Sequence, residues 1–336
     1  MSRIFRSDEV QVGERVVVRR RVGDKASDII GHVTSLEPFT VRPQERGGAP
    51  SSLPEVTVPA ADIIIVKRLS PRRVRNSDIR HVEAAHAKAF PGIDHTWSSD
   101  GQWLLRAGDG VTERSNSATP LGASAGFTAL PIGEILDFYA RHRLPARLHI
   151  PERLGRAAEQ LVAAEPHAWQ LSPEILVMTR PLDDIDPHEP PNLPEGLSAR
   201  VDDTLDDAWL ALYHFRGQRL PVRALEWLQK DIDGTMGFAR LLDATGATVA
   251  ITRATLTTSD DGTHWLGYSA VEVADGWRRR GLGTALGRTV MAWGAAHGAQ
   301  QAYLQVIGTN DAGIGLYGKL GFIEHHRHRY ATRVAS

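Results

Sequence analysis

One short run constrains the fold of this chain more than any other. It passes from the β-prone residues Val271–Val273 through three consecutive arginines, Arg278–Arg280, into Gly281-Leu282-Gly283. The apolar residues that follow are spaced by four, four and three, which predicts a helix: Leu282, Leu286, Val290 and Trp293. The first turn of such a helix has unpaired backbone N–H groups, and its dipole favours anions. Because the glycines allow close approach of the backbone, the run predicts a pyrophosphate site.

A second glycine-rich run, Gly313–Gly318, matches two nucleotide-binding templates without fitting either. The dinucleotide pattern requires the rest of a βαβ unit, with an acidic ribose ligand about 20 residues further on. Only 18 residues remain after Gly318. The phosphate-binding P-loop requires a hydroxyl residue after its lysine, but Lys319 is followed by Leu320. We therefore predict that this run is an ordinary helix.

Both runs have counterparts in one protein family. The pattern Arg278-x-x-Gly281-x-Gly283, then Asn310, then Leu316–Phe322 strongly resembles the GNAT N-acetyltransferase superfamily. The resemblance covers residues 197–336, where strand and helix patterns occur in the order β-α-α-β-β-β-α-β-α-β. It implies a mixed α/β sheet of the α+β class, acetyl-CoA as co-substrate and no metal.

The resemblance also implies a role for each residue of the motifs. The backbone of Arg279–Thr284 would bind the pyrophosphate, and Val271 and Val273 would bond the pantetheine arm as an added strand does. The donor-binding residues implied are Val271, Val273, Arg278, Arg279, Arg280, Gly281, Leu282, Gly283, Thr284 and Asn310. Tyr317 would protonate the leaving thiolate, or is instead a core aromatic residue. Glu272 would accept the amine proton, directly or through water, or is instead a surface carboxylate paired with an arginine.

The chain before residue 197 has a different organisation. Short β-prone runs separated by glycine, proline and serine predict a small barrel over residues 1–69, similar to Src-homology-3 or Tudor barrels. Residues 70–181 repeat the order of strands and helices without the arginine–glycine motif, and resemble a degenerate GNAT half. The prolines of residues 182–196 predict a linker to the catalytic domain, 197–336.

The three-part architecture resembles a group of actinobacterial acetyltransferases that includes N-acetylglutamate synthases. It favours L-glutamate as acceptor, through its α-amine, and a role in arginine biosynthesis. Two carboxylates require cationic contacts, for which Arg114, Arg216 and Arg253 are candidates. The alternatives are a protein lysine N-acetyltransferase and a non-catalytic acyl-CoA-sensing protein.

Composition excludes several other kinds of site. The chain of 336 residues has no cysteine, which removes disulfides, thiolate metal sites and a thioester intermediate on the enzyme. Its net charge of −1 gives no bulk attraction to nucleic acid, so we expect a small-molecule amine as partner. No apolar run is long enough to span a membrane and no signal peptide is visible, which favours the cytoplasm. The oligomeric state stays open.

One cluster of histidines could bind metal on its own pattern. His326 and His328 would share one face of a strand, next to His325 and Arg327. Because the family implied by the motifs uses no metal, we interpret these histidines as solvated residues of an edge strand.

Overall fold

The protein is described by a computed structural model that covers residues 10–189, 191–215, 218–219 and 222–334. Contacts divide it into two units. The first comprises residues up to Arg75 with Glu324–His326, and the second comprises Asn76–Ile323 with the residues from Arg327 onward. In the described residues, no helix is both long enough and apolar enough to cross a membrane.

The first unit contains a five-stranded antiparallel sheet, as the short β-prone runs predict. Its strands are β1 (Arg15–Val22), β2 (Lys25–Leu36), β3 (Phe39–Pro43), β4 (Val56–Thr57) and β5 (Ile63–Arg68), in the order β4-β3-β2-β1-β5. Five buried valines form its core: Val16, Val18, Val33, Val41 and Val58. Alternate residues of a strand point to one face, so these β-branched side chains bury the same side of the sheet.

The second unit contains the remaining elements. Its helices are α1 (Asn76–Ala89), α2 (Ile132–Arg141), α3 (Arg156–Ala164), α4 (Asp207–Leu210), α5 (Val222–Asp231), α6 (Leu282–Ala296) and α7 (Asp311–Lys319). Its strands are β6 (Asp94–Trp97), β7 (Trp103–Ala107), β8 (Ala118–Pro120), β9 (Arg147–Pro151), β10 (Trp169–Leu171), β11 (Ile175–Pro181), β12 (Ser198–Asp202), β13 (His214–Phe215), β14 (Gln218–Arg219), β15 (Gly234–Leu242), β16 (Thr248–Thr258), β17 (His264–Val273), β18 (Gln301–Ile307) and β19 (Ile323–Arg333).

One mixed sheet runs through this unit, in the order β12-β15-β16-β17-β18-β11-β19-β9-β8-β7-β6. Strand β11, from the chain before residue 182, lies between β18 and β19 and pairs antiparallel with β18. Strand β19, from the end of the chain, pairs antiparallel with β9. The segment before residue 182 therefore places β11 beside β18, and the C-terminal segment places β19 beside β9.

The elements around the arginine–glycine run agree with the sequence prediction. Helix α6 begins at Leu282, and Leu282, Leu286 and Val290 are buried while Trp293 packs at the edge of the core. The other glycine-rich run is helical, in α7. The apolar residues Leu205, Trp209, Leu212 and Phe215 predict a longer helix capped by Thr204. The helix there is short instead, because the Asp206 side chain accepts the Trp209 backbone N–H and starts α4 later.

The interpretation of the terminal histidines as solvated edge residues is wrong for two of them. His326 and His328 have no exposed surface. Strand β19 is internal to the sheet, with β11 on one side and β9 on the other. Its position depends on pairing partners far away in sequence, which residue type alone does not reveal.

Candidate active site

The site is built around a fork between two parallel strands. Strands β17 and β18 pair at Trp265, Leu266 and Gly267, and the pairing ends at Gly267 opposite Tyr303. Beyond that point the pairing of β17 with β16 shifts register, and Ala270 has a φ of 58°. A left-handed conformation costs a non-glycine residue about 1–2 kcal/mol, so the distortion is held by its surroundings.

A cavity of about 720 Å³ lies at this end of β17, between the first turn of α6 and helix α7. It is lined by Val271, Glu272, Val273, Trp277, Arg278, Arg279, Gly281, Leu282, Gly283, Thr284, Asn310, Ala312, Gly313, Leu316 and Tyr317. The volume lies in the range of pockets that bind cofactor-sized ligands. Both sequence motifs therefore contribute to one cavity.

The turn before α6 is shaped for an anion. Gly281, at the N-cap, has a φ of 83°, and Arg279 has a φ of 62°. The capping position offers no side-chain acceptor, so N–H groups of the first turn remain available to a ligand. Arg278 is held to the end of β17, because its Nε donates to the Val273 carbonyl over 3.2 Å and its Nη1 lies 3.0 Å from Asp275 Oδ1.

Arg280 differs from the other predicted donor-binding residues. It does not line the cavity, and its guanidinium lies 5.2 Å from the centroid of the Trp277 ring. Leu282 lines the cavity but has only 2% of its surface exposed, so its backbone rather than its side chain is available there. At Gly283 a Cβ would lie 3.0 Å from Leu316 Cδ2, and glycine keeps this wall open.

Tyr317 is partly buried in the cavity wall. Its ring meets Tyr268 and Phe322 edge-on, at centroid distances of 5.9 and 6.4 Å. Burial raises the pKa of Tyr317 to about 12. The phenol therefore carries its proton throughout the neutral range, as a proton donor requires.

Asn310 and Glu272, the other two predicted residues, both line the cavity. The Asn310 side chain accepts the Gly313 backbone N–H over 2.9 Å and caps α7. This cap shapes the wall that carries Tyr317. Glu272 is half-buried between Val271 and Val273 and lines the same cavity.

A second pocket lies at the apex of the fork, with a volume of only about 10 Å³, which is room for about one water molecule. It is lined by His86, Phe90, Arg114, Thr255, Gly267, Tyr268, Ser269, Tyr303, Leu304 and Gln305. Tyr268 lines this pocket and also contacts the ring of Tyr317 in the large cavity. One lining residue of each space is therefore in contact with the other.

Two of the predicted substrate arginines come together beside this pocket. The guanidinium carbons of Arg114 and Arg253 lie 4.9 and 4.4 Å from the centroid of the Phe90 ring. Arg253 is 1% exposed, and in the part of the chain that the structure describes its Nε has no hydrogen-bond partner. Burial lowers its pKa, and the nearby Arg114 adds to this effect. Arg216 lies outside the described residues.

Sequence analysis missed most of the small pocket. His86 lies on α1, which shows only the apolar period of an ordinary helix, and Phe90 directly follows the end of that helix. Gly267 did carry a signal, since a glycine inside a strand often marks a close approach. A Cβ there would lie 2.6 Å from the Tyr303 ring and hydroxyl.

Comparison with known proteins identifies the family of this chain. Residues 76–331 match the family described as "Probable histone acetyltransferase Rv0428c C-terminal". The chain is also 36% identical over 324 residues to the "Probable histone acetyltransferase Rv0428c" of Mycobacterium tuberculosis, covering 95% of this chain and 94% of that protein. The chain belongs to the GNAT N-acetyltransferases.

More distant relatives agree with this family. The "Uncharacterized N-acetyltransferase YobR" of Bacillus subtilis is 27% identical to this chain over 271 residues, which cover 76% of this chain and 99% of that protein. A GCN5-related N-acetyltransferase from Kribbella flavida has the same fold, with a TM-score of 0.53 at 18% identity over 76% of this chain and 96% of that one. A tandem GNAT protein from the clavulanic acid biosynthesis pathway gives a TM-score of 0.53 at 19% identity, covering 76% and 88%.

The predictions of a GNAT fold and of an acyltransferase are thereby confirmed. Acetyl-CoA is the acyl donor of this family. The division at residues 69, 181 and 196 and the roles of individual side chains stay predictions.

Proposed function

We propose that this chain transfers the acetyl group of acetyl-CoA directly to a primary amine while both substrates are bound. The observation that carries this proposal is the meeting of two spaces at Tyr268 and Tyr317. One is large enough for an acyl-CoA and lies on a helix N-terminus. The other is lined by polar side chains and has a volume of about 10 Å³, so its side chains must move to admit an acceptor. Adjoining sites favour direct attack because they hold both reactants together.

The donor occupies the large cavity. Its pyrophosphate accepts hydrogen bonds from backbone N–H groups in the first turn of α6, where Gly281 and Gly283 have no side chain to block the approach. Its pantetheine arm pairs with the edge of β17 at Val271 and Val273, because β18 no longer covers that edge beyond Gly267. This arrangement directs the thioester toward Tyr317.

The chemistry is an acyl transfer with balanced protons. The amine nitrogen attacks the thioester carbonyl carbon, a C–N bond forms and the C–S bond breaks. Glu272 accepts the proton that the amine loses, directly or through water. Tyr317 donates its phenolic proton to the leaving thiolate, which its raised pKa allows at neutral pH.

The acceptor in this proposal is the α-amine of L-glutamate, which yields N-acetylglutamate for arginine synthesis. Arg114 and Arg253 flank Phe90 with two buried or half-buried positive charges. A buried charge is costly unless it is compensated, and a substrate carboxylate compensates it. The same two charges disfavour a lysine side chain within a basic peptide.

The runner-up acceptor is the ε-amine of a protein lysine. Its specific support is the relative from Mycobacterium tuberculosis, which is named as a probable histone acetyltransferase. A third possibility, a non-catalytic acyl-CoA-sensing protein, predicts binding of acetyl-CoA without turnover.

Thiol release from acetyl-CoA tests the three together. The panel contains L-glutamate, L-glutamine, L-norleucine, free lysine and lysine peptides based on a histone tail. We expect the highest kcat/KM for glutamate, since glutamine and norleucine lack the second carboxylate. Activity confined to lysine peptides would favour the runner-up. Acetyl-CoA binding with no thiol release for any amine would favour the sensor.

The substitution Arg114→Gln tests the acceptor arginine that lines the small pocket. Loss of a charge-assisted hydrogen bond costs about 1.5–3 kcal/mol, so we expect KM for glutamate to rise about 10- to 100-fold with an unchanged Kd for acetyl-CoA. Arg288→Gln is the matched control, because Arg288 is exposed on α6 and lines neither space. An equal effect on glutamate and norleucine would contradict carboxylate recognition.

A further inference from the structure

A cluster of histidine and glutamate side chains is buried inside the second unit. Glu83, His149 and His328 have no exposed surface, and His86 has 2%. One potential ligand atom from each of Glu83, His149 and His328 lies within 4.8 Å of those of the other two. Fully buried charged or titratable groups are rare unless they pair or bind a metal.

Three elements that are distant in sequence build this cluster. Helix α1 presents Glu83 and His86 in a Glu-x-x-His pattern, and residues three apart lie on one helix face. Strands β9 and β19 present His149 and His328. In their antiparallel register His149 lies opposite Tyr330, so His328 is its diagonal neighbour on the same face. Two imidazoles therefore face a helix that carries a carboxylate and a third imidazole.

The distances between donor atoms are those of a coordination sphere. His149 Nε2 lies 2.9 Å from His328 Nδ1, a hydrogen bond between the two rings that a shared ion would replace, and 3.8 Å from Glu83 Oε2. His86 Nδ1 lies 3.5 Å from the same Glu83 oxygen. Tetrahedral ligands at about 2.0–2.1 Å from a zinc ion are about 3.3 Å apart, in the middle of these values.

We propose that Glu83, His149 and His328 bind one Zn²⁺ ion, with His86 as the nearest fourth donor. Imidazole nitrogens with a single carboxylate suit borderline transition ions and not Mg²⁺ or Ca²⁺, which require oxygen ligands. The contact of His86 Nδ1 with Glu83 Oε2 already holds this ring against the cluster.

The proposed site is structural rather than catalytic. Structural zinc sites are closed by protein ligands, whereas catalytic ones keep a position for water or substrate. Complete burial of the three core ligands leaves no such position. The ion would fasten α1 to β9 and β19. Since His86 also lines the small pocket beside Gly267, the ion would fix one wall of that pocket.

Metal analysis of the intact chain tests this inference. The intact chain is produced in medium containing Zn²⁺, Fe²⁺, Co²⁺, Ni²⁺ and Mn²⁺ and is then desalted. Its metal content is measured by elemental mass spectrometry. We expect one equivalent of zinc per chain. Protein from metal-depleted medium should unfold at a temperature several degrees lower, and Zn²⁺ present during refolding should restore the difference.

Variants separate this site from adventitious binding. His328→Ala and Glu83→Gln should each abolish stoichiometric zinc, and Glu83→Gln keeps the shape of the side chain. The matched controls His95→Ala and His167→Ala remove exposed histidines and should retain the ion. Sub-stoichiometric metal in the intact chain, with no Zn²⁺-dependent rise in unfolding temperature, would overturn the proposal. Zinc retained in full by both cluster variants would overturn it as well.

Discussion

Tyr317 carries the first residue-scale prediction. Loss of a general acid costs about 10²- to 10⁴-fold in rate, so Tyr317→Phe should lower kcat by at least about 100-fold with little change in the Kd for acetyl-CoA. Because the pKa of Tyr317 is raised to about 12, the phenol is protonated below that pH and loses its proton only as the pH rises through it. No loss of kcat at alkaline pH below about 11 should therefore depend on Tyr317.

Two measurements check this prediction. The kcat of Tyr317→Phe is compared with that of Tyr213→Phe, a buried phenol that lines neither space. The pH profile of kcat is then compared between Tyr317→Phe and the unaltered chain. An unchanged kcat in Tyr317→Phe would remove the phenol from the mechanism.

Gly283 is the second residue-scale test, because it lies where the donor pyrophosphate is expected. In Gly283→Asp, a new Cβ contacts Leu316 Cδ2 and a carboxylate repels the phosphates. We expect the Kd for acetyl-CoA, measured by calorimetry, to rise at least about 10-fold, or about 1.4 kcal/mol. Gly133→Asp, at a glycine with no atom within 4 Å of the added Cβ, should leave it unchanged.

At the scale of elements, Gly267 closes the fork between β17 and β18. In Gly267→Ala the added Cβ lies 2.6 Å from the Tyr303 ring and 2.8 Å from Thr255 Oγ1, so the strands must separate. Overpacking of this kind costs about 1–3 kcal/mol. We expect the unfolding temperature to fall by several degrees. Gly315→Ala, in open space on α7, should raise it slightly because alanine favours the helix.

The elements also show how far sequence analysis reaches. Helix α6 was predictable because its apolar stripe and its glycine N-cap are local signals. The start of α4 was not, since Thr204 and Asp206 are both good caps and the contact with Trp209 N–H decides between them. The insertion of β11 next to β18 leaves no local trace at all, because strand order depends on pairing between distant segments.

In the candidate site, too, the parts built from contiguous motifs were predictable and the parts built from distant residues were not. The donor cavity follows from motifs that are contiguous in sequence, and only Arg280 among its predicted residues lies outside its lining. The small pocket is lined by Phe90 and Arg114, with Arg253 against the Phe90 ring beside it, and these residues are far apart in the chain. No spacing rule brings these together, although a basic pair was expected from the chemistry of a dicarboxylate. The burial of His328 is likewise a product of long-range pairing.

At the scale of the whole molecule, composition and architecture together predict the kinetic mechanism. The chain has no cysteine, so no thioester can form on the enzyme. Tyr317 in the lining of the large cavity contacts Tyr268 in the lining of the small pocket, so the proposed donor and acceptor sites lie side by side. Initial-rate plots at several fixed amine concentrations should therefore give intersecting lines. Acetyl-CoA labelled in its acetyl group should leave no label on the protein when no amine is present. Parallel lines, or one equivalent of protein-bound label, would contradict direct transfer.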